Sequence, residues 1–234
     1  MRDAGAGGYE ATRIDRRSAL KKAGVGIGLA WTAPVILSLP ARAAGSCLTP
    51  GAVSWSSTIV TDTGGAAPFL TFSLDSTGMT TGTAILSNSN FASLGGTSSF
   101  VSINMSGQSV GDTAVLTLLF DGPVSNLTFS LLDLDVGGAD PSDVVNNTWT
   151  DQAVLGDGGG TVTSTPHISV TEGPTQTYTG LFVDPSGVTN ADGNVDLVFS
   201  GASVTTVTIT YVAAGPGTQD QQIGLSDLAF CIDP

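Results

Sequence analysis

Four aspartates, Asp133, Asp135, Asp140 and Asp143, fall within eleven residues in the stretch Asp133-Leu134-Asp135-Val136-Gly137-Gly138-Ala139-Asp140-Pro141-Ser142-Asp143. Carboxylates this dense, leaving an apolar run and entering a glycine-rich loop, suit a hard cation such as Ca²⁺. Such an ion takes six to eight oxygens from carboxylates and backbone carbonyls. The first two Asp and Gly138 echo an EF-hand loop, but Gly137 stands at its fifth position and Val144 at its twelfth, so the spacing is not that of an EF-hand. If the strand continues past Asp133, then Asp133 and Asp135 share one face and repel each other without a cation. The plainer alternative is a solvated Asp/Gly loop with side chains bonded to their own backbone. Asn190-Ala191-Asp192-Gly193-Asn194-Val195-Asp196 is a weaker cation candidate that reads first as a turn before a strand. Asp227 is expected to bond a nearby backbone group.

Other chemistry is constrained by what is missing. The seven basic residues are Arg2, Arg13, Arg16, Arg17, Lys21, Lys22 and Arg42. From Ala44 to Pro234 there is no Lys and no Arg, while sixteen Asp and Glu172 give a formal charge of −17. A lysine Schiff base, a P-loop lysine and an arginine clamp for phosphoryl groups are therefore excluded from this part. Nucleic acids and anionic membrane surfaces would be repelled. The single histidine, His167, cannot build a two- or three-histidine zinc site. Gly107-Gln108-Ser109-Val110-Gly111 matches the G-x-S-x-G pattern, which needs a strand, a sharp turn and a helix. Strand patterns on both sides make it a hairpin turn instead. Paired aspartates could in principle hydrolyse glycosides, but nothing singles out a pair. Trp149, among Asn146, Asn147, Thr148 and Asp151, is in polar company for a tryptophan and is a weak ligand-contact candidate.

The amino-terminal segment reads as an export signal. Asp15-Arg16-Arg17-Ser18-Ala19-Leu20-Lys21 resembles the twin-arginine consensus, with Ala19 in place of the preferred Phe and Asp15 in place of the Ser/Thr. An apolar run from Ala23 to Leu39, interrupted by glycines and Pro34, is shorter than the roughly 20 residues of a spanning helix. Ala41-Arg42-Ala43 follows as an A-x-A cleavage signal, so cleavage is expected after Ala43. An uncleaved anchor and a lipoprotein on Cys47 are the alternatives. The expected organisation is a helical, cleaved signal peptide over 1–43, a short linker over 44–52 and one domain over 53–234.

That domain has the periodicity of half-buried antiparallel strands. Leu127, Phe129 and Leu131 alternate with Thr128 and Ser130. Val207, Ile209 and Tyr211 alternate with Thr206, Thr208 and Thr210. Strands are expected at Val53–Val60, Phe69–Leu74, Phe100–Met105, Ala114–Phe120, Val124–Asp133, Thr148–Val154, Thr161–Ser164, His167–Val170, Thr177–Phe182, Val195–Ser200, Val204–Tyr211 and Ile223–Cys231. Asp121-Gly122-Pro123 and Gly201-Ala202-Ser203 read as tight hairpin turns. The fold class is all-β, an antiparallel, jelly-roll-like β-sandwich. About 70% of the unfolded surface of such a domain can be buried. A Cys47–Cys231 disulfide would join its first and last strand regions, as export permits.

Phe120-Asp121-Gly122-Pro123-Val124-Ser125-Asn126-Leu127-Thr128-Phe129-Ser130-Leu131-Leu132-Asp133-Leu134-Asp135 and Ile223-Gly224-Leu225-Ser226-Asp227-Leu228-Ala229-Phe230 together resemble uncharacterised β-sandwich domains of secreted and surface proteins of bacteria. The signal region looks like that of exported actinobacterial proteins. The resemblance spans Val53 to Phe230 and implies a module used in surface or extracellular contexts, with no known activity. The expected function is a non-catalytic, secreted or cell-surface module with a structural or adhesive role, possible Ca²⁺ stabilisation and a surface protein or glycan as partner. The alternatives are a carbohydrate-binding module and, behind it, a glycan hydrolase using paired Asp.

Overall fold

A computed structural model describes residues 47, 49–88, 94–137, 149–156, 161–164, 168–171, 175–181, 193–200, 203–215 and 221–232. The chain divides into two units, Met1–Ala44 and Gly45–Pro234. The first, with the expected signal peptide, lies outside the described residues.

The described part of the second unit is antiparallel β throughout, apart from one 3-10 turn at Trp55–Ser57. Its strands are β1 (Pro50–Val53), β2 (Ile59–Thr61), β3 (Gly64–Ala67), β4 (Leu70–Asp75), β5 (Thr83–Ser87), β6 (Phe100–Ser106), β7 (Thr113–Leu132), β8 (Val136–Gly137), β9 (Trp149–Gly156), β10 (Thr161–Ser164), β11 (Ile168–Thr171), β12 (Gln176–Gly180), β13 (Val195–Phe199), β14 (Val204–Ala213), β15 (Gln221–Ser226) and β16 (Leu228–Ile232).

The strand β7 organises the sandwich because it belongs to both layers. Its first half pairs with β4 on one side and β14 on the other, and β14 continues into β9, β12 and β11. Its second half pairs with β13 on one side and with β16 and β15 on the other, and β15 continues into β6 and β5. Burial records the crossing. Ala114, Leu116, Leu118, Phe120 and Val124 point inward, whereas beyond Asn126 the inward residues are Leu127, Phe129 and Leu131. Asn126 has φ 51°, and the register against β16 shifts between Ala229 and Cys231. The bulge thus re-phases the alternation, so that the second half again buries its apolar face.

This corrects both expected hairpins. Asp121-Gly122-Pro123 does not reverse the chain: it is the exposed stretch where β7 passes from one layer to the other. Likewise β13 and β14 do not pair with each other but with opposite halves of β7. The connection through 201–202 itself lies outside the described residues. The expected first strand is also broken. Trp55 turns inward, fully buried against Phe72 with ring centroids 5.2 Å apart, and its indole N–H donates to the Ser226 carbonyl at 2.7 Å. The final strand splits at Asp227, whose carboxylate accepts the Trp55 N–H at 3.0 Å and the Ser99 hydroxyl at 2.5 Å. Asp227 therefore bonds backbone, as its sequence context suggests.

Cys47 and Cys231 form a disulfide, with Cα atoms 5.4 Å apart. A cysteine bonded this way cannot carry a lipid on its sulfur, which removes the lipoprotein alternative for Cys47 in this state.

Candidate functional site

The strand β7 ends at Leu132, and Asp133 takes φ 63°, a left-handed conformation that Asp tolerates better than most residues. The strand therefore does not continue past Asp133, so Asp133 and Asp135 do not share a strand face, and the turn has partners that fix it. The Asp133 N–H donates to Asn194 Oδ1 at 3.3 Å, and Asn194 Nδ2 donates to the Gly95 carbonyl at 2.8 Å. The Leu134 N–H donates to the Gly193 carbonyl at 3.0 Å. The Asp135 carbonyl then accepts the Asp151 N–H at 2.9 Å, and Val136 pairs with Thr150. Within three residues the chain has crossed to the other layer and closed one end of the sandwich.

This crossing brings Asp133 and Asp135 to Asp151 on β9. Asp151 is 1% exposed. Its Oδ1 accepts the hydroxyl of the fully buried Tyr211, and its Oδ2 accepts the Asp135 N–H at 3.4 Å. Burial pushes the Asp151 carboxyl well above the usual carboxylate range, and the charges of Asp135 and, more weakly, Asp133 push it further. The Tyr211 hydroxyl aids the ionised form without overcoming this, and the Asp135 side chain adds a hydrogen bond that favours the protonated one. Tyr211 is itself pushed up, by burial first and then by Asp151. Ordinary ion pairing cannot relieve the cluster, because the sequence beyond Arg42 contains no Lys or Arg.

Two glycines make this approach possible. A Cβ on Gly180 would stand 2.5–2.8 Å from the Asp135 backbone, and one on Gly193 would stand 2.8–3.1 Å from the Leu134 backbone. Backbone atoms held by the Leu134–Gly193 and Asp151–Asp135 hydrogen bonds cannot step aside as a flexible side chain can. Gly180→Ala is therefore expected to cost about 2–3 kcal/mol, read as a lower urea midpoint at unchanged m-value.

The other candidates separate. Asp140, Asp143 and His167 lie outside the described residues, as does Asn190–Asp192. Trp149 opens β9 opposite Gly137, but its side chain is not described. Asp196 accepts the Ser130 hydroxyl at 2.5 Å, and Asn194 serves the Asp133 turn, so the weaker cation candidate is spent on structure where it is described. Among the described residues, no three His, Cys, Asp or Glu side chains are grouped so that they could hold a metal ion.

Ser109 sits in a turn between β6 and β7, not between a strand and a helix. Its N–H donates to Asp112 Oδ2 at 2.7 Å and its hydroxyl shares a hydrogen bond with Thr81. Asp112, 1% exposed, also accepts from the Thr80 N–H at 2.8 Å and the Thr80 hydroxyl at 2.5 Å. Sequence reasoning missed both Asp112 and Asp151. For Asp151 the signal was present: it shares a strand face with Ala153 and Leu155, an inward position for a carboxylate.

No known protein family matches the chain, and no curated protein does. Two solved structures are similar in outline. One is titled "Structural basis for the promiscuous specificity of the carbohydrate-binding modules from the beta-sandwich super family", with 13% identity, a TM-score of 0.27, and coverage of 69% of this chain and 56% of that one. The chain thus spans little more than half the length of that structure. The other is a family 11 carbohydrate-binding module from Clostridium thermocellum in complex with a β-1,3-1,4-mixed-linked tetrasaccharide, with 8% identity, a TM-score of 0.26, and coverage of 74% and 96%. Likeness at these scores supports no inference about ligand or site.

Proposed function

We propose that this chain is an exported, non-catalytic β-sandwich module with a structural or adhesive role at or beyond the cell surface. The observation that carries this reading is the burial of Asp151, the carboxylate at the centre of the cluster. Asp151 is walled in by Tyr211 and the 133–135 crossing, out of reach of a polymer substrate. The Cys47–Cys231 bridge supports an oxidising destination, consistent with the twin-arginine-like segment and the A-x-A site. No helix among the described residues is long and apolar enough to cross a membrane.

Glycan binding is a second reading, favoured by Phe69. This residue is 48% exposed at the tip of the β3–β4 hairpin and takes φ 67° after Pro68. Proline followed by positive φ is the pattern of a type II turn, whose second central position ordinarily takes Gly or Asn. A bulky ring kept there at a cost of about 1–2 kcal/mol, and kept in solvent, suggests a use for the ring. One assay tests both readings: incubation of the oxidised protein with a polysaccharide panel, scoring retention and release of reducing ends. No reducing ends are expected. Retention that falls in Phe69→Gly, a change that removes the backbone strain, would favour the glycan reading. Cleavage abolished by Asp151→Asn would overturn the non-catalytic reading.

A further inference from the structure

We propose that a second copy of this chain docks on the outer face of the layer β2-β3-β4-β7-β14-β9-β12-β11, sheet face against sheet face, through an apolar row anchored by Ile59 and Leu119.

The register builds this row. Ile59 pairs with Ala66, Ala66 with Thr71, Thr71 with Leu119, and Leu119 with Thr206. Directly opposed residues point to the same side of a sheet, so these five form one line across five strands. The alternate residues Leu70, Phe72, Leu118 and Phe120 lie in the core, which puts the line on the outside. Ile59 is 80% exposed and Leu119 is 50% exposed. A single apolar side chain in water is ordinary, but two large ones in one uninterrupted line make a patch of the kind that marks an interaction surface.

The charge pattern favours a second copy. Beyond Ala44 the chain carries a formal charge of −17 and no Lys or Arg, so two copies repel wherever their carboxylates face each other. This face avoids that. The next two lines on it run through Thr117–Thr208 and Val115–Thr210. The outward positions of β14, β9, β12 and β11 are Thr, Val, Ser, Gln and Gly. The bordering carboxylates stand at the margins: Asp62 in the β2–β3 turn, Asp75 at the end of β4, and Asp121 where β7 leaves the layer.

Shape and area agree. Two copies share one hand of twist, so their faces match with strands crossing at about 30°. Strands about 4.8 Å apart and lines about 6.8 Å apart give this face on the order of 800 Å², which is what each partner contributes to a standard interface. Stiff, β-branched Thr, Val and Ile lose little rotamer freedom on docking. A sugar platform would want flat rings, and these outward positions carry none, with Phe69 standing at the rim of the face. The inference does not depend on where the module is exported or what it recognises, so its failure would leave the proposed function standing.

Sedimentation equilibrium of the purified, oxidised protein is the test. A monomer–dimer equilibrium is expected, with a Kd in the micromolar range. Raising NaCl to roughly 0.5 M should lower that Kd several-fold, because salt screens the repulsion between two anions that meet on an uncharged face. An interface held by ion pairs would respond in the opposite sense. Ile59→Asp, at an open position of an edge strand, should raise the Kd by at least about 10-fold with Tm unchanged. Leu119→Thr, a strand-compatible change, should raise it less. Ile85→Thr, an exposed apolar residue on β5 in the other layer, should leave it unchanged. A protein that stays monomeric up to about 0.5 mM at either salt concentration would overturn the proposal. So would a dimer that survives Ile59→Asp, or one weakened equally by Ile85→Thr. A monomer whose retention on a neutral polysaccharide falls in Ile59→Asp would assign the face to a glycan and overturn the proposal as well.

Discussion

Reduction of the Cys47–Cys231 bridge, or replacement of both cysteines by serine, is expected to lower stability by about 5 kcal/mol in the chain-entropy treatment. The bridge spans 184 residues of sequence, almost the whole domain, so the denatured chain loses much freedom when it is closed. Its position adds to the effect. β1 pairs with β16 alone among the described strands, over Pro50–Val53 against Cys231–Leu228. The disulfide sits at the outer end of that ladder and holds β1 to it. Trp55 follows directly, and its burial against Phe72 depends on β1 staying in place. Urea unfolding followed by tryptophan fluorescence, with and without reductant, gives the measurement. With an m-value of about 2 kcal/mol/M, the midpoint should fall by roughly 2.5 M. An unchanged midpoint, or two thiols that alkylate in the native protein, would show that the bridge does not hold the fold.

The bridge was legible in the sequence because two cysteines leave one pairing. Strands β7, β13 and β14 were legible for a different reason: each buries one face, and burial writes period two into the residues. β3 was not, because Gly64-Gly65-Ala66-Ala67 carries almost no side-chain signal and is a strand only through its pairing with β2 and β4. Asp121-Gly122-Pro123 misled in the opposite direction. Its residues report a local break in regular structure, and a break occurs, but whether the chain reverses or changes layer depends on what lies beside it. The candidate site divides along the same line. Asp133 and Asp135 stand out through their closeness in sequence, whereas Asp151 and Asn194 join them only once two layers are closed over one another. Local pattern shows which residues are unusual, and the topology decides which of them meet.

Asp112 shows this most strongly, and its replacement by alanine is expected to cost about 3–4 kcal/mol. Its carboxylate binds two segments that are remote in sequence. It accepts from Thr80 and Thr81, some thirty residues away, and from the Ser109 N–H in the turn before β7. Its own carbonyl accepts the Ala213 N–H at the end of β14. Alanine would leave the part-buried N–H groups of Ser109 and Thr80 without their charged acceptor, which costs more than losing both partners together. The pH dependence has a definite sign. Burial alone would raise the carboxyl, but the amides of Ser109, Thr80 and Thr81 and the Thr80 hydroxyl outweigh it and hold the group well below the usual carboxylate range. A carboxyl depressed on folding contributes its full stability above its unfolded pKa, about 3.9, and loses it as pH falls from there toward the folded value. The stability gap between wild type and Asp112→Ala should therefore be constant from neutral pH down to about pH 5 and narrow below about pH 4. Paired urea titrations at several pH values would read it. A gap that stays constant to pH 3, or widens there, would mean that the Asp112 charge does not hold this corner of the sandwich together.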